Sequence, residues 1–429
     1  MLTLAAHDDD YAYGSFATAV NRLSGGSLRI RIAGNWRASS TPSEIDYERG
    51  IVRDVRAGKV QLGIVGARVW DKLGVRSFQA LVAPFLIDSL ALEGRALQAP
   101  LARRALAEVE KAGVVGVALL PGRLRRPLGL TRPLLQPRDY RGAKIGIRPG
   151  GVAEATFRAL GAHAAGYIPG NLTAFDGAEL DPLTITQNNY DLGAHALTGN
   201  VVFWPKPQTI VMNRHAYDRL TTKQRQVLET AGRAAIAPEL RRISRDQRVV
   251  LSALCESGLP IATATPLELA ALRRAVRPVY ARLEHDPGTR RWIAQIRSVH
   301  HIKQDALRCP DDVRKESSPL KGNFTGSLTR AQILRETGSK ALAEKLHGSW
   351  TARLADGRFE FRDRDTRADA RGTFVVHGNR VKFVFATGVG LKEGQIANYT
   401  WSIYRDRLTF KTIPGRPSVL LGFVWKRAS

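Results

Sequence analysis

The chain has 429 residues, 44% of them hydrophobic, and a formal net charge of +26. That length suits two or three domains with cores of ordinary size, and the composition excludes a disordered chain. No apolar run reaches the roughly 18 residues of a membrane-spanning helix.

The chain opens Met1-Leu2-Thr3-Leu4 directly into a strand-like stretch, with no signal peptide ahead of it. The expectation is either a cytoplasmic protein or a mature form whose leader has been removed. Leu2 to Ala6 reads as a strand, followed by His7 and the triplet Asp8-Asp9-Asp10, which either binds a cation, lines a cleft or is solvated. Tyr13 to Leu23 has helical spacing at Phe16, Val20 and Leu23, closed by Ser24-Gly25-Gly26. Leu28 to Ile32 alternates as a strand, Glu44 to Ala57 is helical, and Gln61 to Gly66 is nearly all apolar, as in a buried parallel sheet. Leu90 to Lys111 reads as one helix and Val114 to Leu120 as another apolar strand. This alternation implies an α/β layer structure.

Asp139 to Ala162 is the clearest unit. Lys144 to Ile147 is a short strand, Pro149-Gly150-Gly151 stops it, and Val152 to Leu160 has helical spacing. Arg148 leaves the strand beside the free N–H groups of a helix start, an arrangement that either favours an anion or is an ordinary corner with a solvated arginine. Phe175 to Glu179 reads as a turn, and Gln187 to Leu197 as a polar segment. Val201 to Trp204 and Gln208 to Asn213 read as strands around Pro205 and Pro207. Phe203 and Trp204 either stack on a ligand or belong to a core strand. From Thr221 a helical pattern reaches Ser257, with Thr221 or Thr222 as cap and Pro238 expected to kink or break it. Helical runs cover Pro266 to Leu283 and Thr289 to Ser298.

Beyond His300 the composition changes to a charged, proline- and serine-containing connector, and from Gly348 to short strands separated by turns. That spacing indicates an all-β sandwich or barrel. The positive excess is spread along the chain, residues 323–429 holding ten of the net charges. It reflects either a composition bias toward arginine or an anionic ligand, surface or nucleic acid, and no zinc-finger spacing or RNA-binding aromatic motif supports nucleic acid. Cys255 and Cys309 have no metal-ligand spacing and are either a disulfide or two buried thiols. No GxSxG, HExxH or P-loop is present, so no enzyme, cofactor or metal is expected. His163, His195 and the pair His300-His301 read as structural or surface residues.

Several of these stretches match one family in order: RLSGGSLRIRI, VRAGKVQLGIVGA, LVAPFLIDS, RDYRGAKIGIRPGGVAEATFRALGA, FDGAELDP and PQTIVMNRHAYDRLTTKQRQVLETAG. The first ~300 residues resemble the DctP-like solute-binding proteins of tripartite ATP-independent periplasmic (TRAP) transporters. The resemblance implies two α/β lobes around a cleft, crossing strands and a long hinge-spanning helix. It implies one small organic anion, a carboxylate in that family's terms, held by arginine and delivered to a TRAP-type membrane permease. It also implies a periplasmic or extracellular location, peripheral to the membrane at most. Lobe I would comprise about 1–122 and 213–255, lobe II about 123–212 and 256–300, followed by a linker over 301–344 and a β-rich domain over 345–429. The family's carboxylate-binding arginine falls on Gly146 here, with Arg148 two residues on, at a position expected to be exposed. A second family arginine falls on Arg126, with Arg123 and Arg125 competing, and the family's asparagine after DGxE falls on Leu180 or Asp181. The expected ligand-binding residues are therefore Arg126, Arg148, His7, Trp204 and Asp181. GSWTARLADGRFEF and GTFVVHGNRVKF resemble phrases of small lipocalin-like barrels, with Trp350 near the first strand. The alternative use of the same fold is a ligand sensor or envelope-interaction protein whose β domain binds a partner.

Overall fold

The computed structural model describes residues 1–6, 12–37, 44–167, 172–188, 190–299, 302, 304–309, 320–337, 339–355, 357–365, 369–377, 380–388, 395–412 and 424–428. His7, the triplet Asp8-Asp9-Asp10 and the pair His300-His301 lie outside these residues. The chain forms two compact units, one of Met1–Leu251 with Pro260–Cys309, the other of Ser252–Leu259 with Pro310–Ser429.

The first unit contains two sheets. Its strands in chain order are β1 (Leu2–Ala5), β2 (Ile30–Ala33), β3 (Leu62–Gly66), β4 (Val114–Leu120), β5 (Leu124–Gly129), β6 (Lys144–Ile147), β7 (His163–Gly166), β8 (Gly177–Leu180), β9 (Ala196–Thr198), β10 (Trp204–Pro205), β11 (Gln208–Asn213) and β12 (Ile261–Ala262). The order of the first sheet is β2-β1-β3-β11-β4, and that of the second is β12-β9-β5-β8-β6-β7, with β10 paired to β5. The first unit is thus a two-lobed α/β fold. β3, LGIVG, is buried at every position because it has strands on both sides and helices over its faces. β11 runs antiparallel to both β3 and β4, so the chain returns to the first sheet after building most of the second.

The crossing between β4 and β5 is tight. A Cβ placed at Gly122 would lie 1.6 Å from the carbonyl oxygen of Lys206, so only glycine lets the two connecting strands pass. Glu93, fully buried, accepts the Gly122 N–H on Oε1 at 2.9 Å.

The helix Thr222–Glu256 is continuous through Pro238. The expected break does not occur, since the helix buries Leu228, Ala231, Ala235, Ile236 and Ile243 on either side of the proline and that packing outweighs one lost backbone hydrogen bond. Thr221 caps it, accepting the Gln224 N–H at 3.2 Å. Leu90 to Lys111 is divided at Pro100 into Leu90–Gln98 and Pro100–Ala107 followed by a 3-10 turn. Phe175 to Glu179 is also corrected. Gly177–Leu180 is a fully buried strand between β5 and β6, its turn chemistry overridden by ladder pairing on both edges. Neither Cys255 nor Cys309 is free, and both are disulfide-bonded.

In the second unit, β13 (Gly322–Leu328), β14 (Gly348–Ala355), β15 (Arg358–Asp363), β16 (Asp369–His377), β17 (Arg380–Gly388), β18 (Gln395–Tyr404), β19 (Arg407–Thr412) and β20 (Val424–Arg427) form a closed antiparallel barrel. Closure comes from Phe324 and Thr325 of β13 pairing with Arg427 and Lys426 of β20. Its interior is aromatic: Phe383 lies within 5.1 to 6.2 Å of the rings of Phe359, Phe361, Phe374, Tyr399 and Phe410.

Candidate functional site

The first unit holds a cleft of about 450 Å³, its open mouth included, where the chain leaves the carboxyl ends of β3 and β6. Ala67, Arg68 and Asp71 come from the first sheet's side. Arg125 on β5, Arg148 and Gly150 after β6, Glu179 on β8 and Trp204 on β10 come from the second, and Lys206 and Pro207 cross between them. The space outside the carboxyl ends of parallel strands is where open α/β sheets gather ligands.

Arg148 lines this cleft. It is 7% exposed, not the exposed surface position expected from the glycine turn, because the strand end is roofed by neighbouring elements. Its backbone N–H donates to Glu179 Oε1 at 3.1 Å, and its guanidinium lies 5.7 Å from the centre of the Tyr167 ring. The same ring explains Gly146. A Cβ there would meet Tyr167 Cδ1 at 3.2 Å and Leu172 Cδ2 at 3.3 Å, so a side chain where the resembling family carries arginine requires these two side chains to shift.

Arg125 and Arg126 are strand neighbours and face opposite sides. Arg125 faces the cleft and is fully held: Nε donates to Glu179 Oε2 at 2.7 Å, Nη1 to Asp181 Oδ2 at 2.7 Å and Nη2 to the Glu179 carbonyl at 2.6 Å. Arg126 turns away, donating to the carbonyls of Gly199 at 2.7 Å and Asp305 at 2.8 Å, and does not line the cleft. Burial lowers its guanidinium to about 10, with Asp305 and Asp88 opposing. Asp181 sits behind Arg125 and caps the helix Pro182–Gln187 through Thr184 N–H at 3.1 Å. Burial alone would raise its carboxyl, but Arg125, Arg123 and the Thr184 hydrogen bonds bring it down to about 2. It lines a separate polar hollow of about 460 Å³ with Arg123, Gln208, Glu239 and Arg242. Trp204 lines the cleft, its ring packed edge-on to Phe157 at 6.1 Å. His7 lies outside the described residues.

The cleft thus brings Arg148 and Trp204 together, and adds Arg125, Arg68, Glu179 and Lys206 to the residues expected from sequence. Arg68 is oriented by Glu48, which accepts from its Nη2 at 2.9 Å and from the Gly66 N–H at 2.9 Å. The one available signal for Arg125 was the Arg-Arg pair in an apolar segment, which leaves the facing residue open until the β5–β10 pairing of Arg125 with Trp204 is seen. Among the described residues, no cluster of histidine, cysteine and carboxylate side chains could hold a metal ion, and no helix is long and apolar enough to cross a membrane.

The family model for bacterial extracellular solute-binding protein, family 7 (DctP), matches residues 10–286. The chain belongs to that family. As a family 7 protein it is 24% identical over 196 residues to the C4-dicarboxylate-binding periplasmic protein DctP of Rhodobacter capsulatus, a match that covers 44% of this chain and 58% of that relative's length. Its fold is similar to that of a TRAP periplasmic solute binding protein from Ochrobactrum anthropi, with a TM-score of 0.61 and 21% identity, covering 70% of this chain and 95% of the other. That protein was solved with its C-terminus bound in the ligand binding pocket. Similar folds are a TRAP periplasmic solute binding protein from Xanthobacter autotrophicus with bound β-D-galacturonate (TM-score 0.59, 19% identity, 70% and 99% covered) and one from Ralstonia eutropha with bound (S)-2-acetolactate (TM-score 0.57, 20% identity, 69% and 98% covered).

Proposed function

We propose that this family 7 protein captures a small organic anion in the cleft and presents it to a TRAP-type membrane permease. The observation that carries this reading is Arg148, nearly buried yet lining the cleft, with its guanidinium set over the Tyr167 ring. A guanidinium in a largely desolvated site forms a strong charge-assisted fork with a carboxylate. Arg125 is clamped by Glu179 and Asp181, which fixes that side of the cleft and leaves Arg148 as the guanidinium that meets the anion. The anions bound by the Xanthobacter and Ralstonia proteins support the same ligand class. The disulfide-bonded state of both cysteines supports an oxidising, extracytoplasmic location. The protein binds and releases its ligand unchanged.

The test is calorimetric titration of ligand-stripped protein with organic acids, followed by Arg148→Ala. Charge-assisted hydrogen bonds contribute ~1.5–3 kcal/mol each, so the variant is expected to weaken a bound acid by roughly ten- to a hundredfold. Unchanged affinity in folded Arg148→Ala protein would remove this site.

A second reading gives the barrel a partner. The family match ends at residue 286 and the barrel lies beyond it. In this reading the cleft senses its ligand and the barrel engages an envelope component. Retention of ligand-dependent transport by a permease when the barrel is deleted would argue for the sensor role being absent.

A further inference from the structure

The cleft lining is specific about what lies beyond the carboxylate. Among the described residues, no serine, threonine, asparagine, glutamine or tyrosine lines it. Its polar lining consists of cations and two acids, Asp71 and Glu179. Both Glu179 oxygens are already engaged, Oε2 by Arg125 Nε at 2.7 Å and Oε1 by the Arg148 N–H at 3.1 Å. Asp71 Oδ1 accepts from Gln79 Nε2 at 3.1 Å. The rest of the wall is hydrocarbon and indole: Val82, Val152, Ala153, Trp204, Pro205 and Pro207.

A sugar acid brings several hydroxyls, and each one buried needs its own hydrogen-bond partner. Among the described residues the only side chains offered to them are the charged ones, several already engaged with each other, whereas the remaining wall matches a hydrocarbon surface. Trp204 lines the cleft and packs on Phe203 at 5.3 Å and Phe157 at 6.1 Å, so its indole is part of the apolar wall. Resting on the organic-anion reading above, we propose that the ligand is a compact monocarboxylate with a hydrocarbon body, branched aliphatic or aromatic, in preference to a polyhydroxylated sugar acid. Its carboxylate lies at Arg148 and its body against Trp204 and Val82.

The experiment titrates the ligand-stripped full chain with 4-methyl-2-oxopentanoate, benzoate and D-glucuronate, in the parent and in the Arg148→Ala and Val82→Asn variants, with circular dichroism checking that each is folded. At least one hydrocarbon acid should bind tenfold or more tighter than glucuronate, and Arg148→Ala should weaken it at least tenfold. Val82→Asn, which adds a hydroxyl partner to the wall, should narrow the preference at least threefold. Glucuronate binding equally or more tightly, and lost in Arg148→Ala, overturns the hydrocarbon preference and leaves the organic-anion reading standing. Binding of none of the three acids overturns both.

Discussion

Arg125 Nη1 donates to Asp181 Oδ2 at 2.7 Å, and neither side chain is more than 4% exposed. The pair joins β5 to the cap of the helix Pro182–Gln187 and so fixes the floor of the cleft. Buried ion pairs add little net stability when intact but cost much when one partner is removed.

Asp181→Asn keeps the helix cap and removes the charge. It is expected to lower stability by about 3 kcal/mol at neutral pH, read from urea midpoints. The folded carboxyl, at about 2, lies below its unfolded value, so its contribution is present above about pH 4 and lost as pH falls from there toward 2. The acid-side loss of stability should therefore be shallower in Asp181→Asn than in the parent. Equal slopes would refute the assignment.

Glu93 behaves oppositely. Burial, with the Glu239 charge nearby, pushes its carboxyl well above the usual range, the Gly122 N–H opposing only in part. A carboxyl raised in the folded state contributes stability that is present below about pH 4.3 and lost as pH rises toward the folded value. Glu93→Gln retains an acceptor for Gly122. It should gain stability relative to the parent at pH 8 and gain less at pH 5, as denaturant curves at the two pH values would reveal.

Arg126 separates structure from binding. Because its guanidinium serves the carbonyls of Gly199 and Asp305, Arg126→Ala should destabilise by about 3 kcal/mol while ligand affinity changes less than threefold. A tenfold loss of affinity in folded Arg126→Ala protein would place this arginine in the binding machinery after all.

Phe383 touches five rings in the barrel and is fully buried. Phe383→Ala is expected to cost about 3–5 kcal/mol. The readout is the fluorescence of Trp425, which packs on Phe361 at 5.4 Å in the same core.

The elements legible in the sequence are those whose own side chains do the packing. β3, β4 and β6 are apolar runs and fall where the pattern places them. β5 and β8 were not legible, because LRRPLG and GAEL become strands only through partners far along the chain. The site divides in the same way. Arg148 announces itself beside Pro149-Gly150-Gly151, but the choice between Arg125 and Arg126 depends on strand register, which alternation within one strand cannot supply. Lys206 reaches the cleft because two connecting strands cross at Gly122, a contact with no local signal.

The return of β11 to the first sheet bears on how the polypeptide is made. β11 lies between β3 and β4, and they do not pair with each other. As the chain emerges from the ribosome, this sheet has no centre until residue 213 has been synthesised. A nascent chain halted before Gln208 leaves the inner edge of β3 unpaired and β4 without a neighbour in that sheet. The same wiring delays completion of the domain during synthesis, through contacts that are distant along the chain.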